Sequence, residues 1–187
     1  MRVIDAASYR RMPWKNGGGE TIEVAVSPDG ASLDAFDWRV SMARVASPGP
    51  FSLFPGIDRT LAILDGAGLR LSGPEGVVEL TASSNPHSFP ADVPVEADLP
   101  DGAVTDLNVM SRRGRVRHHL TRRVVDGIAT LTCVAPVTLA LCQGEVKAQA
   151  DGIAFDIGRN DTLVMSTCAE LKTEEPVTIY VVEFWSG

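Results

Sequence analysis

Cysteine is scarce in this chain of 187 residues. There are three, Cys133, Cys142 and Cys168, widely spaced and set among apolar neighbours. An odd number at such spacing builds neither a disulfide framework nor a four-thiolate zinc site, so reduced core thiols are expected. Histidine is equally sparse, with His87 in a proline-rich stretch expected to turn and His118 and His119 as neighbours on an expected strand. Adjacent strand residues point to opposite faces, so that pair cannot chelate one ion, and surface or structural roles are expected for all three histidines. No metal and no cofactor is expected. Long apolar runs are missing as well: nothing approaches the roughly 18 to 20 residues that a membrane-spanning helix needs. The opening MRVIDAASYRRMPWKN has no apolar signal core. A cytoplasmic protein without a membrane partner is the expectation. Positive charge is also short, since 17 Lys and Arg stand against 24 Asp and Glu for a formal net charge of -7. Such a surface repels a polyphosphate, which argues against nucleic acid as a partner.

What the chain does have is punctuation. Its 17 glycines and 12 prolines fall at short intervals, and the segments between them are too short for ordinary helices of about three turns. Strands are therefore expected at 21–26, 38–45, 60–64, 68–71, 77–80 and 93–97, each rich in β-branched or alternating apolar residues. A second series is expected at 105–110, 116–125, 129–134, 138–141, 145–148, 162–165 and 177–184. Short strands without strand-helix-strand alternation predict an all-β sandwich or barrel. The turns Leu64-Asp65-Gly66-Ala67-Gly68 and Leu141-Cys142-Gln143-Gly144-Glu145 resemble each other, each joining two apolar strands near the middle of its half. They suggest a duplicated jelly roll, with one barrel over 1–112 and a second over 113–187. The basic run SRRGRVR, 111–117, lies at that seam as a solvated linker or a charge-protected edge strand, with some arginines able to turn inward on an anion. Exposed sheet edges also make a homodimer plausible.

Residues 13–21, PWKNGGGET, place an indole, a cation and an amide (Trp14, Lys15, Asn16) directly before three glycines. Glycine lets backbone approach a ligand or another strand where a Cβ would clash, yet the segment lacks the P-loop ending and the dinucleotide spacing. It is either a bulge ahead of the strand at Thr21 or one wall of a pocket. In 38–45, WRVSMARV, period-two alternation puts Trp38, Val40 and Met42 on one face and Arg39, Ser41 and Ala43 on the other. If the second face is interior, Arg39 and Ser41 need partners, and a carboxylate ligand supplies them through charge-assisted hydrogen bonds. The alternative is that Arg39 faces bulk water.

The stretch IDRTLAILDGAGLRL, 57–71, resembles the strand-turn-strand of the cupin motif, G-x5-H-x-H-x3,4-E-x6-G. Counting back from Gly66, Arg59 occupies the position of the metal-binding glutamate, and the two histidine positions fall on Ser52 and Phe54 or on Leu53 and Pro55. The histidine of the second cupin motif becomes Thr105 in one register and Pro94 in another. A three-histidine, one-glutamate site therefore cannot be assembled, and Arg59 offers directly the positive charge that an ion would present. Taken together, PWKNGGGET, FDWRVSMARV, GPFSLFPGIDRTLAILDGAG and LPDGAVTDLNVMSRR are similar to the HutD/Ves family of bicupins over roughly residues 9–113.

That resemblance implies an all-β bicupin, two cupin-like (RmlC-like jelly-roll) barrels packed together, and, from its HutD branch, regulation of histidine utilisation. The ligand class it implies is a small carboxylate such as an N-formylated or formiminated glutamate, or urocanate. Carried over position by position, the ligand-binding set is Trp14, Lys15, Asn16, Arg39, Ser41, Arg59 and Asn108, with no catalytic residue and no metal ligand. Ala91, in FPADVP, departs from the family's usual glycine at a turn. Non-enzymatic binding of a small acid, for sensing or sequestration, is the leading expectation. Two alternatives stand beside it. One is a metal-independent isomerase, epimerase or hydrolase using Glu23 and Lys15 for proton transfer; the other is an interaction protein whose pockets are filled.

Overall fold

Alternation of apolar and polar residues becomes extended chain almost everywhere in the computed structural model, which describes residues 1–14 and 19–187. The protein is all-β: the described residues form nineteen strands and one three-residue helical turn, Ala6–Ser8. Trp38–Val45, Val116–Val125 and Thr162–Met165 have their expected bounds. Gly19–Ser27, Ile57–Asp65 and Val104–Arg112 run past theirs, because a long neighbour continues to offer ladder partners. Arg2–Ile4, Arg10–Pro13, Gly49–Pro50, His87–Pro90, Ile153–Ile157 and Ala169–Lys172 were not expected. All are short, so alternation has little room to declare itself, and each is held by a partner from elsewhere in the chain. His87 accordingly lies on a strand paired with Ile57–Asp65 and not in a turn. Cys168 needs the same kind of correction, being exposed while Cys142 is buried and Cys133 half-buried, with all three thiols free. Its neighbour Ala169 takes the buried side at the start of Ala169–Lys172 and leaves Cys168 facing out.

The chain divides into two units, Arg10–Arg117 with Gly187, and Met1–Tyr9 with His118–Ser186. In the first, a six-stranded antiparallel sheet runs in the order Arg10–Pro13, Gly19–Ser27, Trp38–Val45, Val104–Arg112, Ile57–Asp65, His87–Pro90. A four-stranded sheet runs Gly49–Pro50, Glu96–Asp98, Leu69–Gly73, Gly76–Leu80. Leu61 and Ile63 of the larger sheet share one buried cluster with Leu69, Leu71, Leu80 and Ala97 of the smaller, so the two pack face to face. Each large apolar side chain so buried contributes about 1.5–3 kcal/mol. The turn between Ile57–Asp65 and Leu69–Gly73 needs glycine at Gly68, where φ is +114° and a Cβ would lie 2.4 Å from Leu80 O.

The basic run stays within this unit and serves structure. Arg113 reaches Asp58 and Asp92, each at 2.7 Å, Arg112 donates to Phe36 O and Asp34 O, each at 3.0 Å, and Arg115 meets Asp37 at 2.9 Å. These three guanidiniums tie loops to the sheet, and none of them turns inward on an anion.

The second unit has a five-stranded sheet, Arg2–Ile4, Thr162–Met165, Val137–Cys142, Val177–Ser186, Val116–Val125, and a four-stranded one, Ile128–Leu131, Ala169–Lys172, Val146–Ala150, Ile153–Ile157. The chain's opening residues count here because Arg2–Ile4 pairs with Thr162–Met165. The Tyr9 hydroxyl closes the same region, donating to Asn160 O at 2.8 Å and sharing a 2.7 Å bond with Thr162 Oγ1. A buried apolar cluster that includes Leu163, Ile179, Val181 and Leu171 lies between these sheets, and Thr138 and Glu183, opposite one another in the ladder, share its face.

Candidate functional site

Strand register decides which side chains of the first unit meet. Residues directly opposite in an antiparallel ladder share a face. Asn108 lies opposite Leu61 on one side and Ser41 on the other, and Ser41 lies opposite Glu23. Met110 lies between Arg59 and Arg39, and Asp106 between Ile63 and Ala43. Because Leu61 and Ile63 belong to the buried cluster, the whole set projects toward the smaller sheet and away from water. Arg39 and Arg59 are 5% and 7% exposed, Ser41 and Asn108 are buried, and Asp106 has no exposed surface. Of the two orientations open to Arg39 in the sequence, the inward one is realised.

Each guanidinium has a protein partner. Arg39 Nε donates to Glu23 Oε2 at 2.7 Å, and Arg39 Nη1 reaches Ser41 Oγ at 3.4 Å. A bulge between Glu23 and Ala25 lies beside this pair and keeps Glu23 on the inner face while the ladder shifts by one. Arg59 donates through Nε at 2.7 Å and through Nη2 to the same atom, Asn108 Oδ1. The Asn108 amide then donates from Nδ2 to Asp106 Oδ1, so a neutral amide links a cation to a carboxyl. Burial pushes the Asp106 carboxyl up to about 7, with Arg59 pulling the other way. Burial likewise pulls Arg59 down to about 10, opposed by Asp106 and reinforced by Arg39, which leaves the guanidinium charged at neutral pH. Asp106 Oδ2 has no hydrogen-bond partner among the described residues.

Aromatic rings cover the cation. The Arg59 guanidinium carbon sits 4.2 Å from the centroid of Phe51 and 5.8 Å from that of Phe89, and the two rings meet edge to face at 6.3 Å. His87 stacks on Phe89 with centroids 5.9 Å apart. Trp14 packs against the buried cluster and donates from Nε1 to Thr21 Oγ1 at 2.8 Å. At Gly19 a Cβ would stand 2.1 Å from Arg44 O and 3.1 Å from the Trp14 ring, so this glycine serves close approach to the neighbouring strand. Lys15 and Asn16 lie outside the described residues. Arg39, Ser41, Arg59 and Asn108 are therefore brought together on one face, with Trp14 against the same apolar cluster. Sequence reasoning passed over Asp106, Phe51 and Phe89. For Asp106 a signal existed, since it stands two positions before Asn108 and so shares its face.

A transition metal does not fit this donor set. A guanidinium stands where a carboxylate ligand would be needed, and among the described residues no three His, Cys, Asp or Glu side chains are grouped to hold an ion. A groove of about 1040 Å³ lies in the second unit beside Glu145, Lys147, Asp156, Lys172 and Glu174. Those side chains are all exposed, so water already solvates them, whereas the buried charges of the first unit converge where water is excluded.

A family model described as HutD matches residues 6–181. The chain is 40% identical over 121 residues to Protein Ves of Citrobacter koseri, an alignment covering 63% of this chain and 61% of that protein. It thus spans less than two thirds of that relative's length. Among solved structures, a conserved protein of unknown function from Pseudomonas aeruginosa PAO1 superposes with a TM-score of 0.91 at 33% identity, covering 99% of this chain and 98% of that one. HutD from Pseudomonas fluorescens SBW25, in a formate condition, gives 0.77 at 29% identity, covering 100% and 98%. A cupin 2 conserved barrel domain protein from Leptotrichia buccalis gives 0.62 at 12% identity, covering 96% and 97%, a likeness of fold alone.

Proposed function

Because the chain belongs to the HutD family, we propose that it is a non-enzymatic binder of a small carboxylate, built as two cupin-like barrels, with the ligand site in the first. Arg59 and Arg39 supply the charge, Asn108 and Ser41 orient the ligand, Trp14 walls it, and Lys15 and Asn16 complete the set. One observation carries this reading: two guanidiniums and an amide are buried on a single face that otherwise packs against apolar residues. Burying a charge costs several kcal/mol, and apolar side chains of similar volume often serve stability as well or better, so such a cluster is kept for use. A guanidinium has five N–H donors, and the bonds named above engage two on each arginine, which leaves others for a carboxylate.

Membership of the HutD family points to histidine-degradation intermediates, most of them small carboxylates, as the ligand class. The biological role that follows is cytoplasmic regulation of catabolism by sensing or sequestering that acid. Calorimetric titration with formate, N-formylglutamate and urocanate tests it. Arg59→Ala is expected to weaken the ligand that binds by about 10- to 100-fold, the worth of a charge-assisted hydrogen bond, with the far-ultraviolet spectrum retained. Equal affinity in the variant overturns the assignment. A second reading, as an enzyme, draws on Asp106, whose carboxyl at about 7 is poised for proton transfer. Incubation with the same acids followed by NMR separates the two, since turnover supports only the second.

A further inference from the structure

The buried carboxyl of Asp106 lies in a chain of contacts that has a consequence for binding. The Asn108 amide is fixed at both ends, its oxygen by Arg59 and its nitrogen by Asp106 Oδ1. Arg59 and Asp106 are therefore held apart by one amide and do not touch as an ion pair. Asp106 Oδ2 is the open end of the chain: it is fully buried, and no described residue donates to it. Ionised, that oxygen is shut off from bulk solvent and receives no hydrogen bond from the described residues; protonated, it carries no charge that needs one.

Among the described residues, the formal charges on this inner face come from four strands. Arg59 comes from Ile57–Asp65, Arg39 from Trp38–Val45, Glu23 from Gly19–Ser27, and Asp106 itself from Val104–Arg112. His87, of His87–Pro90, lies opposite Leu61, and Arg10, of Arg10–Pro13, lies opposite Glu23 at an exposed position. Asp65 and Arg44, at the end of the larger sheet, are exposed. The smaller sheet packs on with Leu69, Leu71, Leu80 and Ala97, while its Arg70, Glu79, Glu96 and Asp98 lie in solvent. With Asp106 ionised, two buried cations face two acids among the described residues, and these four charges balance before any ligand arrives. An entering carboxylate adds one negative charge to a place that cannot solvate it.

Resting on the carboxylate-binding reading above, we propose that an anion bound beside Arg59 is accompanied by uptake of one proton on Asp106, so that the site binds acid and proton together. Charge balance is restored without a counter-ion, and Asn108 transmits the change because it touches both groups. The direction of the linkage follows. Burial already places the free carboxyl near neutrality, with Arg59 opposing, and a bound anion raises it further. Affinity is therefore level at pH values where Asp106 is already neutral and falls as pH rises through and above about 7.

Formate is the probe, because it stays ionised throughout the useful range. Calorimetric titration of the unaltered chain from about pH 5.5 to about pH 8.5 is expected to show affinity falling by up to about tenfold per pH unit above neutrality. Heats measured in two buffers of different ionisation enthalpy should report the proton taken up. Asp106→Asn, permanently neutral and nearly isosteric, should bind at high pH as the unaltered chain does at low pH, with a flat profile. Should that variant fail to fold, ¹³C titration of the Asp106 carboxyl in the unaltered chain replaces it, and saturating formate should move its midpoint upward. A flat affinity profile, buffer-independent heat or an unmoved midpoint overturns proton coupling, and if Arg59→Ala still weakens binding the carboxylate reading survives. No binding of formate, N-formylglutamate or urocanate at any pH removes that reading and the coupling with it.

Discussion

Both units pack a long sheet against a shorter one, yet what lies between the sheets differs. In the first, the inner face of the six-stranded sheet carries Glu23, Arg39, Ser41, Arg59, Asp106 and Asn108 beside Leu61 and Ile63. In the second, the corresponding layer is mostly apolar, with Ala140, Cys142, Leu163, Met165, Ile179 and Val181, and its polar members on that face include Thr138 and Glu183. The second arrangement is what burial alone favours, since every one of those apolar side chains gains by leaving water. The first costs desolvation of four ionisable groups, offset by the bonds from Arg39 to Glu23 and Ser41, by those along Arg59, Asn108 and Asp106, and by the rings over Arg59. The contrast teaches that an all-β unit of this kind packs with a largely apolar interior, so packing alone does not account for the polar interior of the first unit.

The sharpest way to break that contrast is to cut the chain in its middle. Asn108→Ala removes the amide from between Arg59 and Asp106 and leaves both buried without it. A loss of about 3–5 kcal/mol is expected, read as a lower urea midpoint. Replacing all three together, with Arg59→Met, Asn108→Leu and Asp106→Leu, makes the first interior resemble the second. That protein should be as stable as the parent, or more stable by about 1–4 kcal/mol, while losing formate binding. A triple variant much less stable than Asn108→Ala alone would show that the polar cluster holds the fold.

A smaller effect distinguishes the units by pH. The folded Asp106 carboxyl, raised by burial to about 7, binds its proton more tightly than an unfolded aspartate at about 3.9. Its contribution to stability is therefore full below the unfolded value and is lost as pH rises from about 4 to about 7, levelling above that. Asp106→Asn abolishes this loss. The stability of the variant relative to the parent should grow over that window by roughly 2–4 kcal/mol, followed by denaturant titration at several pH values. Ile179→Val, in the largely apolar interior of the second unit, should cost about 0.5–1.5 kcal/mol at every pH, because a lost methylene does not titrate.

The sequence made half of this site legible. Alternation in WRVSMARV put Arg39 and Ser41 on one face, and the spacing back from Gly66 singled out Arg59; both depend on neighbours along one strand, where period two is a local rule. The bonds that define the chamber are not local. Glu23 meets Arg39 across a ladder and next to a bulge, and Arg59 meets Asn108 across another, with 49 residues between them in sequence. Phe51 lies beside Gly49–Pro50 and Phe89 within His87–Pro90, segments too short to display a period, yet tertiary pairing brings both rings to the same guanidinium. Arg2–Ile4 is the extreme case, a three-residue strand fixed by Thr162–Met165 from the far end of the chain. Cys168 shows the converse: apolar neighbours in sequence did not decide which side of the chain it would face.

The smallest predicted effect completes the contrast by keeping the chemistry and changing only its setting. Arg70 and Glu79 form an ion pair at 2.9 Å on the smaller sheet of the first unit, with side chains 45% and 70% exposed. Arg39 and Glu23 form one at 2.7 Å with side chains 6% and 13% exposed. Water solvates the outer pair whether or not the bond is made, so Arg70→Ala should change stability by between zero and about 1 kcal/mol, and less in high salt. Glu23→Gln leaves Arg39 buried beside a neutral amide, and no salt concentration restores the missing charge. Unfolding both variants at low and high salt reads the difference. If Arg70→Ala proved as costly as Glu23→Gln, burial would not be what gives the inner charges their weight, and the distinction between the two interiors would lose its physical basis.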